Sequence, residues 1–190
     1  MARPPTADHP GGRFVFPAIL LPPDALVVLI GIAASGKSTF ARTHFAPTQV
    51  LSSDGLRALI SDDLSAQGAT DDAFDLLHRL LGMRLRRGRL TVVDATNVEH
   101  WARAELITIA TRHRRPAVGI VFDVPLPLAL ERNATRSAPR PPPAALRRQH
   151  RFLADSLPRL ADEGFEAVHR LRSVDEIDGV RIEPSAGSPA

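Results

Sequence analysis

The only lysine in the chain, Lys37, stands in the run Gly31-Ile32-Ala33-Ala34-Ser35-Gly36-Lys37-Ser38-Thr39. The spacing of glycines, lysine and hydroxyls satisfies the pattern GxxxxGK[ST]. Basic residues number 24 and every one except Lys37 is arginine, so a composition drained of lysine retains it at one place. At the chain's own residue frequencies an accidental match arises roughly 4 times in 10,000. Such a loop captures anions: its backbone N–H groups, and those at the start of the following helix, converge on a phosphate, and the helix dipole assists. Lys37 adds a compact positive charge near the β and γ phosphates, and the Ser38 hydroxyl can ligate Mg²⁺. The expected cofactors are ATP and Mg²⁺, with Gly31, Ala34, Ser35, Gly36, Lys37, Ser38 and Thr39 forming the nucleotide loop. The alternative is a glycine-rich turn without a ligand.

A phosphate loop implies nucleotide binding and leaves the receiving group open. In open parallel sheets ligands lie beyond the carboxyl ends of the strands, so the residues that follow each strand are the candidates. Asp54 and Arg57 are three apart and share one side of a helical turn. If the acceptor is a hydroxyl, Asp54 can orient it and take its proton, and Arg57 can grip an acceptor phosphate. Asp54 can equally be a helix N-cap. Asp94, in Asp94-Ala95-Thr96-Asn97, ends a hydrophobic strand and either holds Mg²⁺ or pairs with an arginine. Arg132 and Arg136 are four apart on one helix face, where they would neutralise charge on a transferred phosphoryl group, with Arg140 a possible third. The alternative for these three is a solvated basic face. The cluster Arg84, Arg86, Arg87 and Arg89 falls at a helix C-terminus, where cations are favoured for structural reasons.

The elements that must position these residues read as alternating strands and helices. Leu26 to Ile30 is a continuous apolar run, as in a strand buried on both faces, and Ser38 to Phe45 is a helix closed before Pro47. Val50 to Ser52, Leu90 to Asp94, Ala117 to Asp123 and Glu166 to Leu171 are the further strands, with Glu166 to Leu171 the last in the chain. Phe74, Leu77, Leu81 and Leu85 form one helical face, with Thr70 as N-cap and Gly88 as the C-terminal stop. Val98 to His113 and Ala144 to Ala161 fill the other long helical slots. Leu146, Leu153, Leu157 and Leu160 give the second of these an apolar stripe. The alternation predicts an α/β fold: a phosphate-loop parallel sheet covered by helices on both faces, with a helical basic lid. There is no internal repeat.

The expected organisation is a proline-rich segment over 1–23, a kinase-type domain over 24–183 with its lid at about 132–151, and a tail over 184–190. Six of the 17 prolines fall in the first 23 residues, and both ends are expected to be mobile. Phe14 to Leu21 is apolar enough to add an edge strand. Four prolines between Pro139 and Pro143 prevent regular structure and make a stiff basic loop between two helices.

At 190 residues, 44% of them hydrophobic and 24% charged, the chain suits one globular domain. Zero cysteines exclude disulfides, thiolate metal sites and cysteine nucleophiles. No apolar stretch reaches the roughly 20 residues of a membrane span, and no signal-peptide pattern is present, so the expected location is cytoplasmic. The sequence pI of 10.7 overstates the basicity, because the net charge is only +3 and neither Tyr nor Cys is present to lose a proton. The seven histidines show no ligand spacing. With one Trp and no Tyr, a nucleic-acid surface of stacked aromatics is not expected, and any polynucleotide contact should be short and led by phosphates.

The runs Leu26 to Phe45, Val50-Leu-Ser-Ser-Asp54-Gly-Leu-Arg57 through Asp63, Asp72-Ala-Phe-Asp75 and Leu90-Thr-Val-Val-Asp-Ala-Thr-Asn97 resemble the 5′-polynucleotide kinase module of bacterial polynucleotide kinase-phosphatase, an RNA-repair enzyme. The similarity continues through Glu131-Arg-Asn133 and Arg136 to about Val180. The resemblance implies that Lys37 and Ser38 serve ATP and magnesium and that Asp54 is the general base toward a 5′-OH. It further implies that Arg57 contacts the acceptor strand and that Arg132 and Arg136 contact the donor phosphates. The family's phosphatase and ligase-like modules have no room in 190 residues, and a separate phosphatase or ligase is one expected partner. The Pro-Arg-Pro-Pro-Pro run is a further departure from the family. The leading expectation is an ATP-dependent kinase of RNA or DNA 5′-OH ends. The alternatives are a phosphate-loop kinase of a sugar, antibiotic or metabolite hydroxyl, and a switch that binds ATP without transferring it.

Overall fold

The computed structural model describes residues 18–185 apart from 65, 138 and 139. In chain order the elements are β1 (Ala18–Leu21), β2 (Leu26–Gly31), α1 (Lys37–His44), β3 (Val50–Ser52), α2 (Ser53–Ser61), α3 (Thr70–Arg86) and β4 (Thr91–Asp94). They continue as α4 (His100–Arg112), β5 (Ala117–Phe122), α5 (Leu126–Thr135), α6 (Pro143–Ser156), β6 (Ala167–Leu171), α7 (Val174–Gly179) and β7 (Arg181–Pro184).

Five strands form one parallel sheet in the order β3-β4-β2-β5-β6. Every residue of β2 and of β5 is buried, which requires cover on both faces of the sheet, and this is why these strands read as unbroken apolar runs. The helices supply that cover. On α3, Ala73, Leu77, Leu81 and Leu85 recur every fourth residue and are buried against the sheet, whereas Phe74 is only half-buried. Phe40 of α1 meets Phe122 of β5 edge-on, with ring centroids 5.2 Å apart, and so seats the helix that follows the glycine loop on the centre of the sheet.

Several expectations change. The apolar segment ending at Leu21 does form a strand, but β1 does not join the main sheet. It pairs in parallel with β7 in a separate two-stranded sheet, from Ala18↔Arg181 to Leu21↔Pro184. Residues 14–17 of that expected strand lie outside the described residues, as do most of the two ends expected to be mobile. Glu166 to Leu171 is therefore not the last strand, since α7 and β7 follow it. Thr70 is the first residue of α3 rather than its N-cap, and its hydroxyl makes no capping bond. Gly88, at φ 61°, does terminate that helix, with its N–H donating to Leu85 O and that of Arg89 to Arg84 O. Helix α6 stops at Ser156. Pro158 forces the continuation into a 3₁₀ segment, Leu157–Glu163, that still buries Leu160. Among the described residues no helix is long and apolar enough to cross a membrane.

Candidate active site

The glycine loop leaves the carboxyl end of β2, the central strand, and ends in α1. Gly31 must be glycine because a Cβ there would lie 2.9 Å from both Phe122 O and Ser35 Oγ. Gly36 takes the N-cap position of α1 at φ 105°, a left-handed conformation open to glycine. The first amides of α1 have no intrahelical acceptor. Lys37 folds back across the loop: its Nζ donates to Gly31 O at 2.8 Å, to Ile32 O at 2.7 Å and to Ser35 Oγ at 3.3 Å. All three ammonium hydrogens are thus engaged. Burial pushes the Lys37 pKa down to about 8, against the pull of Asp94 and Asp54 and with some repulsion from Arg136.

A cleft of about 1000 Å³ opens over this loop. Ala34, Ser35, Gly36, Lys37, Ser38 and Thr39 line it, as do Asp54, Arg57, Asp94, Arg132, Arg136 and Arg140. Every site residue expected from the sequence therefore meets in one cleft except Gly31, which lies beneath the surface with its carbonyl occupied by Lys37. Arg132 reaches the loop itself, its Nη1 lying 3.8 Å from where a Gly36 Cβ would be. Arginines outnumber carboxylates in the lining, so the cleft is an anion site in its overall field.

Ser52, at the end of β3, caps α2 by accepting a hydrogen bond from the Gly55 N–H at 3.3 Å. Asp54 is therefore not the N-cap. It sits in the first turn of α2, where the helix dipole favours a carboxylate, and its side chain is left for other partners. Arg57 Nη2 donates to its Oδ1, and Arg136 Nη2 lies 3.8 Å from Oδ2. Arg136 is the C-cap of α5, in extended backbone, so it does not share a helix face with Arg132.

Asp94 ends β4 with 7% of its surface exposed. Burial raises its pKa, while a hydrogen bond from the Ser38 side chain and the charges of Lys37 and Arg42 pull the other way. A hydroxyl and a carboxylate held together at the cleft floor are hard oxygen donors that suit Mg²⁺, which commonly takes one or two protein ligands and completes its shell with phosphate and water. Among the described residues there is no cluster of three or more His, Cys, Asp or Glu that could hold a metal.

Sequence reasoning missed two anchors. Gln149 of α6 accepts a hydrogen bond from the Ala33 N–H at 2.9 Å through its Oε1. Arg103 of α4 is fully buried, makes a two-pronged bond to Glu163 at 2.6 Å on each arm, and donates through Nη1 to Asn97 O at 2.8 Å. Both carried the same signal: a polar residue interrupting a buried helical stripe, Gln149 between Leu146 and Leu153, and Arg103 one turn before Leu106 and Ile107. Of the basic cluster at the end of α3, Arg84 donates to Thr91 Oγ1 at 3.0 Å and to Leu90 O at 2.9 Å, and Arg87 donates to Met83 O at 2.9 Å.

A parallel sheet whose central strand runs into a glycine loop and then a helix, with an arginine-bearing arm closing over it, is the fold of P-loop kinases. Residues 26–155 match the AAA_33 family, described as an AAA domain, and the chain belongs to that family. Among solved structures it is similar to a chain of the Pnkp1/Rnl/Hen1 RNA repair complex, at 21% identity and a TM-score of 0.63 over 75% of this chain and 47% of that one. The chain thus spans about half the length of that relative. It is also similar to a gluconokinase from Sinorhizobium meliloti 1021, at 18% identity and a TM-score of 0.51 over 83% of this chain and 87% of that one. A third relative is the Mycobacterium tuberculosis APS kinase CysC in complex with AMPPNP and APS, at 19% identity and a TM-score of 0.52 over 83% of this chain and 93% of that one. No curated protein matches the chain.

Proposed function

We propose that the protein is an ATP-dependent kinase that transfers the γ-phosphoryl group to the 5′-OH end of RNA or DNA. The observation that carries this reading is Asp54: a carboxylate that shares a cleft with the Lys37 loop and is flanked by two guanidiniums, Arg57 and Arg136. In the step envisaged, the 5′-oxygen attacks the γ-phosphorus, its proton passes to Asp54, and the bond from phosphorus to the β–γ bridging oxygen breaks to release ADP. Arg57 turns from Asp54 toward the phosphate that follows the first acceptor nucleoside. Lys37, Arg132 and Arg136 balance charge on the transferring group, and the loop amides hold the β phosphate. Ser38 and Asp94 would hold Mg²⁺, which when bound neutralises the β and γ oxygens. The position in RNA repair implied by the sequence resemblance would make separate phosphatase and ligase chains its working partners.

The direct Asp54–Arg57 pair favours a second reading, transfer to a hydroxyl of a small neutral metabolite. A guanidinium already matched by a carboxylate needs no acceptor phosphate. Transfer of labelled γ-phosphate to 5′-OH oligonucleotides of ribose and deoxyribose, beside a bare nucleoside and a sugar, separates the two. Efficient labelling of oligonucleotides supports the first reading, labelling only of the small acceptor supports the second, and none above background leaves an ATP-binding switch. Asp54→Ala should lower transfer by about 10²–10⁴-fold while leaving ATP binding largely intact.

A further inference from the structure

A second cleft, of about 280 Å³, opens between α3 and α4, and the phosphoryl-transfer chemistry makes no use of it. Phe74 lines both this cleft and the larger one, so the two adjoin at one aromatic residue. Its chemistry is opposite to that of its neighbour. Asp71 and Asp75 stand four apart on α3 and Glu105 faces them from α4, while no arginine or lysine is among the described residues that line it. His78 Nδ1 lies 3.2 Å from Glu105 Oε1 and offsets part of that charge. Trp101 forms the outer wall at 63% exposure, its indole pinned by a 2.8 Å hydrogen bond from Nε1 to Glu99 Oε2. On the inside, Thr70 Oγ1 is sequestered from solvent and has no hydrogen-bond partner among the described residues.

These walls reject phosphate and accept a flat, donor-bearing ring. A carboxylate pair repels a phosphodiester, and an exposed indole face offers stacking. The volume suits one ring system rather than a run of nucleotides. We propose that this groove receives the terminal base of the acceptor strand and favours guanine, an inference that rests on the 5′-hydroxyl kinase reading above. Guanine alone presents ring N1–H and exocyclic N2–H₂ as a two-pronged donor for a carboxylate. Adenine and cytosine offer one amino group, and uracil or thymine a single ring N–H. The arginine-lined cleft takes the phosphates and this acidic groove takes the base, so the reactive oxygen between them is fixed from both sides.

Trp101 is the only tryptophan and there is no tyrosine, so the intrinsic emission of the protein reports this groove alone. Four 5′-OH oligonucleotides that differ only in the terminal base are titrated against that emission and assayed for phosphorylation. The expected result is saturable quenching by the 5′-G strand about tenfold tighter than by the 5′-U strand, with the same order in kcat/KM. Asp71→Asn with Asp75→Asn, both at exposed positions, should bring kcat/KM for the 5′-G and 5′-U strands together. Equal kcat/KM for all four strands, or no emission change with the 5′-G strand, overturns the groove while the kinase reading stands. Base-selective quenching without phosphorylation of any strand keeps the groove and removes the kinase reading. Neither signal removes both.

Discussion

Gln149 and Ala33 are joined by one hydrogen bond, side-chain oxygen to backbone amide at 2.9 Å, that fastens helix α6 to the phosphate loop. The α6 end of the lid is thereby tied to the loop it would cover. Nearer α5, Asn133 Nδ2 donates to Pro141 O at 2.9 Å and Arg140 donates to Arg136 O.

Removing the acceptor in Gln149→Leu should leave the Ala33 amide without its partner and slacken the loop, raising KM for ATP about three- to tenfold with a smaller change in kcat. Gln149→Glu keeps an acceptor but sets a carboxylate beside the triphosphate path, so its defect in ATP binding should be greater at low ionic strength. Steady-state kinetics at two salt concentrations distinguish the variants; salt-independent defects in both would sink the argument.

Lys37 gives a pH dependence of defined sign. Its pKa is about 8 folded and 10.5 by the ordinary value, so between those limits the unfolded chain binds the proton that the folded chain has lost. Stability of the free protein should rise with pH across that window. Affinity for ATP should fall across it, because the phosphate grip needs the ammonium. No tyrosine or cysteine titrates in the same range. Thermal melts and nucleotide titrations at pH 7.5, 9 and 10.5, all about a unit or more apart, should show both slopes in the wild type. Neither slope should appear in Lys37→Met.

Ala34 stands in the loop at φ 61°, a conformation that costs a residue with a Cβ about 1–2 kcal/mol. Ala34→Gly relieves that strain and adds back some chain entropy, for a net gain of about 0.5–1 kcal/mol. The variant should melt about 2–3 °C higher in calorimetry. Gly36→Ala, at φ 105° in the same loop, should move the melting temperature the other way.

Arg103→Met should destabilise the fold by about 3–5 kcal/mol, because it leaves the Glu163 carboxylate in a buried site without its partner. Burial alone would raise the Glu163 pKa, but the bonds and charge of Arg103, helped by His100, hold it below the ordinary value. The stability this pair contributes is present at neutral pH and lost as pH falls through that lowered value. Adding Glu163→Met should recover most of the loss in urea denaturation. A double variant as weak as the single would argue against the pairing as the cause.

Local patterns carried the parts of this molecule that a reading of the chain could reach. The glycine loop and its lysine are a contiguous motif, β2 and β5 announce themselves because both faces are buried, and Asp54 with Arg57 needs only helical spacing. What escaped depends on distant chain meeting distant chain. β7, Arg-Ile-Glu-Pro, has no apolar run and exists because β1 gives it hydrogen bonds. Gln149 looks like one more polar residue until α6 is laid against the loop. Helix α2 is capped by Ser52 rather than by Asp54, because β3 delivers the chain to the helix one residue before Ser53.

The strand order has a consequence for how the molecule is born. β2 lies at the centre of the five-stranded sheet, yet Leu26 finds its neighbours only at Thr91 and Ala117. As the ribosome extrudes the chain, the most water-averse strand emerges well before either flank that can shelter it. Loop closure over such spans makes assembly slow, and the orphaned strand is bait for aggregation or for a chaperone until β5 has cleared the exit tunnel.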